Sequence, residues 1–252
     1  MENLNNETII KNISTDQSEI LLNIMNLYNE GKPFECDITA SELKFYKQNK
    51  KQKYEIPIPK ILMDVYPQRE DIIKIEKWGK LPLEDESISS IVVDLPFVIS
   101  PANAPSATTQ IKENGNLIYK RFSAYYPVDN LYYSYYHWLS ECFRVLKKDG
   151  ICVFKCQSCI SGGIRHNVEE FSFMAAQRLG FKMVDKFTLE AKARLISSSK
   201  YKDGQKHSRS YTSQFLIFKK ETKFGSKDFI FEKLLDVCET KEENNYNDII
   251  EK

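Results

Sequence analysis

The sequence has no excess of charge of either sign. Its 36 basic and 35 acidic residues give a net charge of +1, so the whole protein creates no field that attracts nucleic acid, and any such contact must come from a local patch. The sequence also has no apolar stretch long enough to span a bilayer, and no charged segment leading into an apolar one at its start. These absences predict a cytoplasmic protein that does not enter a membrane.

Metal-binding patterns are scarce as well. The three histidines show no ligand spacing, and Cys156-Gln157-Ser158-Cys159 is a lone CxxC motif. A structural zinc site needs a second pair of ligands, so chance spacing is the better interpretation, and we expect no metal. Without a secretory signal, the six cysteines are expected to be reduced thiols.

No internal repeat and no large separate block for target recognition stand out. With 252 residues, of which 42% are hydrophobic, the chain can form one sizeable core. Composition divides it into a flexible polar arm (1–15), one domain (16–220) and an acidic C-terminal extension (221–252). Helices are expected after Asp16 or Ser18 and after Asp129, since each can cap the apolar periodic segment that follows.

Three apolar, strand-like segments each end in an acidic residue. They are spaced roughly thirty residues apart, which fits βαβ units in a parallel sheet of an α/β protein. Open sheets of this kind bind ligands in the crevice outside the carboxyl ends of their strands. The three acids are Asp37, Asp64 and Asp94.

The third acid begins the stretch Asp94-Leu95-Pro96-Phe97. A carboxylate and a main-chain carbonyl can accept hydrogen bonds from an exocyclic amine, and an aromatic ring can stack on a heterocycle. This set of groups suits a flat, amine-bearing substrate. A strand end with a proline stop and a core phenylalanine is the alternative interpretation.

The order of strands, acids, helices and glycines resembles that of S-adenosylmethionine-dependent methyltransferases. In particular, the chain is similar to the amino-methyltransferases of adenine N6 or cytosine N4, whose signature is Asp/Asn-Pro-Pro-Phe/Tyr/Trp, and to small phage and bacterial DNA methylase-like proteins. Besides Asp94–Phe97, three segments carry the resemblance, which covers about residues 20–220: Asp37-Ile38-Thr39-Ala40-Ser41-Glu42-Leu43-Lys44-Phe45-Tyr46, Leu81-Pro82-Leu83-Glu84-Asp85-Glu86-Ser87 and Arg144-Val145-Leu146-Lys147-Lys148-Asp149-Gly150.

The resemblance implies a Rossmann-like class I methyltransferase fold, with a mostly parallel seven-stranded sheet and helices on both faces. It implies S-adenosylmethionine as the cofactor and the exocyclic amine of a nucleic-acid base as the target. Adenine N6 in DNA comes ahead of cytosine N4 or RNA. A catalytically degenerate relative that binds nucleic acid or another subunit is the alternative, and a small-molecule methyltransferase is third.

The resemblance also implies roles for individual residues. Asp37 and Thr39 would face the methionine end of the cofactor. Asp64 would accept hydrogen bonds from the ribose hydroxyls, and Trp78-Gly79 would flank the adenine ring.

Within the motif of the third acid, the resemblance implies catalytic roles. Asp94 and the carbonyl of Leu95 would hold the target amine, Pro96 would stiffen the turn, and Phe97 would stack on the base. Leu95 stands where the family has its first proline.

A local basic patch is the candidate contact with phosphates. It joins Lys120-Arg121, in a loop within residues 100–127, to the span from 186 to 220, and a solvated basic loop without a ligand is an equal alternative. The sequence does not indicate an oligomeric state. The patch residues are Lys120, Arg121, Arg194, Lys200, Lys202, Lys206 and Arg209.

Overall fold

The fold is seen in a computed structural model of the 252-residue chain. It describes residues 9–46, 53–97, 99, 128–161, 163–192, 207–208 and 210–221. These residues form three helices and ten strands. The helices are α1 (Gln17–Tyr28), α2 (Asp129–Val145) and α3 (Val168–Leu179).

Eight of the strands form one mixed sheet, in the order β1-β9-β10-β6-β5-β2-β3-β4, and β7 pairs with β8 in a separate hairpin. All neighbouring pairs of the large sheet are parallel except those that β10 makes with β6 and β9. The strands are β1 (Ile13–Ser14), β2 (Cys36–Asp37), β3 (Ile61–Asp64), β4 (Ile73–Lys74), β5 (Ile88–Asp94), β6 (Leu146–Cys156), β7 (Cys159–Ser161), β8 (Ile164–His166), β9 (Phe181–Glu190) and β10 (Thr212–Lys220).

The two faces of the sheet are covered by different helices. Side chains of a strand alternate between faces, and in β5 Ile91 and Val93 pack in the cluster that includes α2 and α3, whereas Val92 packs in the cluster that includes α1. The same alternation runs through β10. The predicted class, a mostly parallel sheet of the class I methyltransferase type with helices on both faces, is confirmed. Its large sheet has eight strands rather than seven.

The eighth strand lies where the sequence predicts a flexible arm. Ile13 and Ser14 form β1, which pairs in parallel with Thr188 and Leu189 of β9. Two residues carry too little periodicity to be recognised as a strand. The division of the chain into arm, domain and extension otherwise stays a prediction.

Two local predictions need correction. Residues 71–73 look helical in sequence, but Ile73 belongs to β4, paired with Met63. Asp129 was expected to cap α2, but it is the first residue of the helix and Val128 occupies the cap position. An acidic residue in the first turn still interacts favourably with the helix dipole. No helix of the described residues is both long and apolar enough to cross a bilayer.

The helix α1 begins where the sequence predicts, and its first residue, Gln17, lies at the candidate site described below. Asp16 caps the helix, because its Oδ1 accepts hydrogen bonds from the backbone N–H groups of Ser18 (2.8 Å) and Glu19 (3.4 Å). Its Oδ2 accepts a third from the N–H of Lys53 at 2.7 Å. The cap therefore fixes the entry of the chain into α1, directly before Gln17.

Replacing Asp16 by alanine is expected to destabilise the protein by about 1–2 kcal/mol, because buried N–H groups lose their acceptor. Asp16→Asn keeps an Oδ1 acceptor and should cost clearly less. Urea denaturation of both variants measures the difference. Equal stabilities of the alanine variant and the wild type would contradict the assignment of the cap.

Candidate active site

Parallel pairing brings the three predicted acids to one edge of the sheet. Asp37 of β2 is the register partner of Leu62 in β3 and of Val92 in β5. Asp64 and Asp94 each come two residues after those partners, so they lie on either side of the turn that follows β2. The edge is formed by the carboxyl ends of these strands, where open α/β sheets bind ligands.

Asp37 is the buried centre of this edge. Its side chain is only 2% exposed. Oδ1 accepts hydrogen bonds from the backbone N–H of Thr39 (2.7 Å) and its hydroxyl (2.9 Å), and Oδ2 accepts one from the hydroxyl of Tyr46 (2.6 Å). The hydroxyl of Thr39 in turn accepts a hydrogen bond from the N–H of Asp94 at 2.8 Å. Asp37 therefore couples the turn after β2 to the end of β5.

Burial has the largest effect on the pKa of the Asp37 carboxyl. The pKa of the Asp37 carboxyl is raised to about 6, mainly by desolvation, while the hydrogen bonds from Tyr46 and Thr39 act in the opposite direction and the charge of Asp94 adds to the rise. The pKa of the Tyr46 hydroxyl is raised as well, by burial first and then by the charge of Asp37. A cation placed near Asp37 would favour its ionised form.

Asp64 ties the same turn to the end of β3. Its Oδ2 accepts a hydrogen bond from the N–H of Ser41 (2.8 Å), and its Oδ1 accepts one from the N–H of Tyr66 (2.6 Å). Each oxygen of the carboxylate is thus held by a backbone donor, and these two bonds orient the group. The side chain is half-buried.

Asp94 is more open than Asp37 and has a basic neighbour. Its side chain is 28% exposed, and Oδ2 lies 3.2 Å from the Nζ of Lys155, its register partner in β6. In the part of the chain that the structure describes, Oδ1 has no hydrogen-bond donor. Oδ1 of Asp94 is therefore a candidate acceptor for a ligand.

The helix α2 contacts the residues that follow Asp94. Leu95 is buried in the core with its side chain 6% exposed, whereas Phe97 is half-buried. The hydroxyl of Tyr135 donates a hydrogen bond to the carbonyl of Pro96 at 3.2 Å. Among the described residues no donor reaches the carbonyl of Leu95, which leaves a second acceptor beside Asp94.

The turn at Trp78-Gly79 is anchored to the same helix. The indole Nε1 donates to the hydroxyl of Ser134 at 2.7 Å, and a ring nitrogen of His137 lies 3.1 Å from the carbonyl of Gly79. Trp78 adopts a positive φ of 61°. A Cβ at position 79 would come within 2.8 Å of the Cβ of Glu76, so the tight turn requires glycine.

The predicted phosphate contacts are not placed by the structure. Lys120, Arg121, Arg194, Lys200, Lys202, Lys206 and Arg209 all lie outside the described residues. Within the described ranges, no group of three or more histidine, cysteine or acidic side chains is arranged to hold a metal ion.

Three residues that lie at this edge of the sheet have no role predicted from the sequence: Lys155, Tyr46 and Gln17. Lys155 follows an apolar run, and only its pairing with Asp94 reveals its position. Tyr46 is the last residue of Asp37–Tyr46, the first segment that resembles the methyltransferase family, but nothing in the sequence connects its hydroxyl with Asp37.

No protein-family model and no curated protein sequence matches the chain. Several solved structures are similar in fold. A protein from Thermus thermophilus named as a DNA modification methylase, solved in complex with S-adenosyl-L-methionine, is 14% identical with a TM-score of 0.31, over 57% of this chain and 50% of that one. The chain thus matches only half the length of that protein.

Two further solved structures are also similar in fold. The PvuII cytosine-N4-specific DNA methyltransferase is 20% identical with a TM-score of 0.33, over 55% of this chain and 44% of that one. A protein from Sulfolobus solfataricus named as a type 11 methyltransferase is 14% identical with a TM-score of 0.38, over 84% of this chain and 96% of that one.

The chain has the class I methyltransferase fold. The structure itself gives the mostly parallel sheet with helices on both faces, in which the antiparallel β10 lies between β6 and β9. Likenesses as distant as those above say nothing about the substrate, so the function has to be inferred from the residues of the site.

The raised pKa of Asp37 predicts a pH-dependent contribution to stability. The folded protein binds the proton of the Asp37 carboxyl more tightly than the unfolded chain does, because the pKa of this carboxyl is near 3.8 in the unfolded chain. The contribution is fully present below about pH 4 and is lost as the pH rises through about 6, with a size of roughly 3 kcal/mol. Urea denaturation between pH 4 and 7 should therefore show the wild type losing stability relative to Asp37→Asn as the pH rises.

Tyr46→Phe is the matched control. It removes a hydrogen bond that lowers the pKa of Asp37, so it should shift the same transition to higher pH. If the stability difference between wild type and Asp37→Asn does not change with pH, the origin of this effect in Asp37 is refuted.

Proposed function

We propose that the protein is an S-adenosylmethionine-dependent methyltransferase acting on the exocyclic amine of a nucleic-acid base, with adenine N6 in DNA ahead of cytosine N4 or RNA. One observation carries the proposal: two acceptors to which no described residue donates, Oδ1 of Asp94 and the carbonyl of Leu95, lie at the carboxyl end of β5 beside the half-buried ring of Phe97. An amine needs such acceptors, and a base needs a ring to stack on.

The neighbouring strands have groups that fit the cofactor. The turn at Asp37 and Thr39 would face its methionine end, where a positive charge favours the ionised form of Asp37. Asp64, oriented by two backbone N–H groups, would accept hydrogen bonds from the ribose hydroxyls. Trp78 and Gly79, anchored to α2, would flank the adenine ring.

The protein's contribution to the reaction would be orientation and charge stabilisation. S-adenosylmethionine would supply an electrophilic methyl group: the bond from nitrogen to methyl would form as the bond from sulfur to methyl breaks, S-adenosylhomocysteine would leave, and the methylated amine would then lose a proton to water. Asp94 and the Leu95 carbonyl would direct the lone pair of the target amine, and the carboxylate would stabilise the positive charge that the amine gains as it reacts. A base within a duplex would first have to be flipped out of the helix.

Contacts with the nucleic-acid backbone would come from the basic patch. Because no large recognition block accompanies the domain, we expect a short recognition sequence or dependence on a partner subunit. The patch comprises Lys120, Arg121, Arg194, Lys200, Lys202, Lys206 and Arg209.

A catalytically silent module that binds nucleic acid or another subunit is the second candidate. It is favoured by the first family-like segment, where Leu43 stands in place of a glycine. Leu43 has a φ of +61° and a side chain that is 1% exposed, so a leucine occupies a conformation that glycine prefers. Asp37, at the start of the same segment, already has both oxygens engaged.

Cofactor binding separates the two candidates. We expect isothermal titration calorimetry to detect binding of S-adenosylmethionine to the wild type, and Asp64→Ala to weaken it by about tenfold or more, because ribose hydroxyls lose a charged acceptor. Asp71→Ala is the control, since Asp71 forms an exposed ion pair with Arg69. Wild-type protein without measurable affinity would favour the silent module.

The role of Asp94 is tested with DNA and radiolabelled cofactor. Asp94→Ala should lower kcat by roughly 100-fold or more while cofactor affinity persists, because the amine loses its charged acceptor. Asp94→Asn keeps an acceptor oxygen and should retain measurably more activity than Asp94→Ala. Unchanged activity of Asp94→Ala would refute the assignment.

A further inference from the structure

A lysine lies beside the carboxylate to which we assign the target amine. Lys155 and Asp94 are register partners in the parallel strands β6 and β5. Nζ of Lys155 is 3.2 Å from Oδ2 of Asp94, and the lysine side chain is 13% exposed. Lysine side chains are mostly exposed, and those that are fully buried are almost always paired. The proposed function gives this lysine no role.

The ammonium is held in a defined place. The Oε1 of Gln17, directly after the cap of α1, accepts a hydrogen bond from Nζ at 3.0 Å. The ring centroids of Phe45 and Phe215 lie 4.8 and 5.5 Å from Nζ, within the range of cation–π attraction. Groups from four segments of the chain therefore fix the ammonium at the carboxyl edge of the sheet.

The pair leaves one donor and one acceptor side by side. An ammonium has three N–H donors, and those of Lys155 have two acceptors among the described residues, Gln17 and Asp94. Asp94 in turn keeps Oδ1 without a donor in the same part of the chain. A ligand at this edge therefore meets a hydrogen-bond acceptor next to a hydrogen-bond donor.

This arrangement complements a specific chemical group. The Watson–Crick edges of adenine and cytosine present an amine donor beside a ring-nitrogen acceptor: N6 and N1 in adenine, N4 and N3 in cytosine. Enzymes that modify flipped bases read this edge through hydrogen bonds. The corresponding edge of guanine has an N–H donor beside its amine, which an ammonium would repel, and thymine and uracil have no amine.

We propose that Lys155 is a specificity-determining residue that donates a hydrogen bond to the ring nitrogen next to the target amine. Asp94 accepts from the amine, and Lys155 requires that the neighbouring ring atom is an unprotonated nitrogen. The substrate class is then a base whose Watson–Crick edge presents the amine beside an unprotonated ring nitrogen, as in adenine and cytosine. This inference rests on the proposed function, because it assigns the amine to Asp94.

A purely structural role of Lys155 predicts a different result. If the ammonium only holds Asp94 in position, its loss lowers the rate for every base that carries the amine by the same factor. If it contacts the ring nitrogen, its loss also removes the ability to distinguish a base with that nitrogen from one without it. The ratio of two rates therefore separates the two roles, and partial misfolding cancels from the ratio.

The test uses oligonucleotides in which the methylated adenine is replaced by 1-deazaadenine, which keeps the amine but has a C–H group in place of N1. Cytosine and 3-deazacytosine serve if the target is cytosine. For the wild type, kcat/KM should fall about 10- to 100-fold on replacement, the effect of losing a hydrogen bond to a charged group. For Lys155→Met the intrinsic reactivity of the two bases still differs, but the additional preference should disappear.

The matched control is Lys182→Met, which removes a lysine paired with Glu221 on the surface and should keep the wild-type ratio. Lys155→Arg keeps a cationic donor and should retain part of the preference. An equal ratio in wild type and Lys155→Met overturns this inference and leaves the proposed function intact. A loss of cofactor affinity in Lys155→Met, measured by calorimetry, also overturns it, because the lysine would then serve the cofactor.

Wild-type protein that methylates neither adenine nor cytosine in DNA or RNA overturns the proposed function and the inference together. If the wild type methylates a base, but wild type and Lys155→Met show the same ratio of kcat/KM between that base and its deaza analogue, only the inference is overturned. Whether the wild type methylates a base therefore distinguishes the two failures.

Discussion

The candidate site depends on the parallel register of four adjacent strands. Pairing of β3, β2, β5 and β6 brings Asp64, Asp37, Asp94 and Lys155 to one edge. Neighbouring strands lie about 4.8 Å apart, so three acidic groups occupy a short line at the carboxyl ends. A shift of one residue in any pair would turn a side chain to the other face. The chemistry of this edge is therefore set by backbone pairing.

The clustered acids are compensated by different means. Asp37 is buried, which raises its pKa, and it accepts hydrogen bonds from the hydroxyl and N–H of Thr39 and the hydroxyl of Tyr46. Asp64 is oriented by backbone N–H groups. Asp94 has a cationic neighbour, Lys155. Asp94, at 28% exposure, is more accessible to a ligand than the buried Asp37.

The helices support this edge from both faces. On one face, α2 holds the turn after β5 through Tyr135 and the turn after β4 through Ser134. On the other, α1 brings Gln17 to Lys155. Side chains that contact a ligand need such support to keep their geometry. The site is therefore built from segments that are far apart in sequence but close in the fold.

The sequence by itself determined the parallel α/β class, the three acids at strand ends and the start of α1 at Asp16 or Ser18. Each of these follows from local patterns: apolar runs ending in a carboxylate, and an acid placed before a periodic segment. Only the tertiary structure decided that Lys155 meets Asp94, that Tyr46 binds Asp37 and that residues 13 and 14 form an edge strand. These contacts join residues up to 175 positions apart (Ile13 and Thr188), and register and packing, which no local pattern encodes, bring them together.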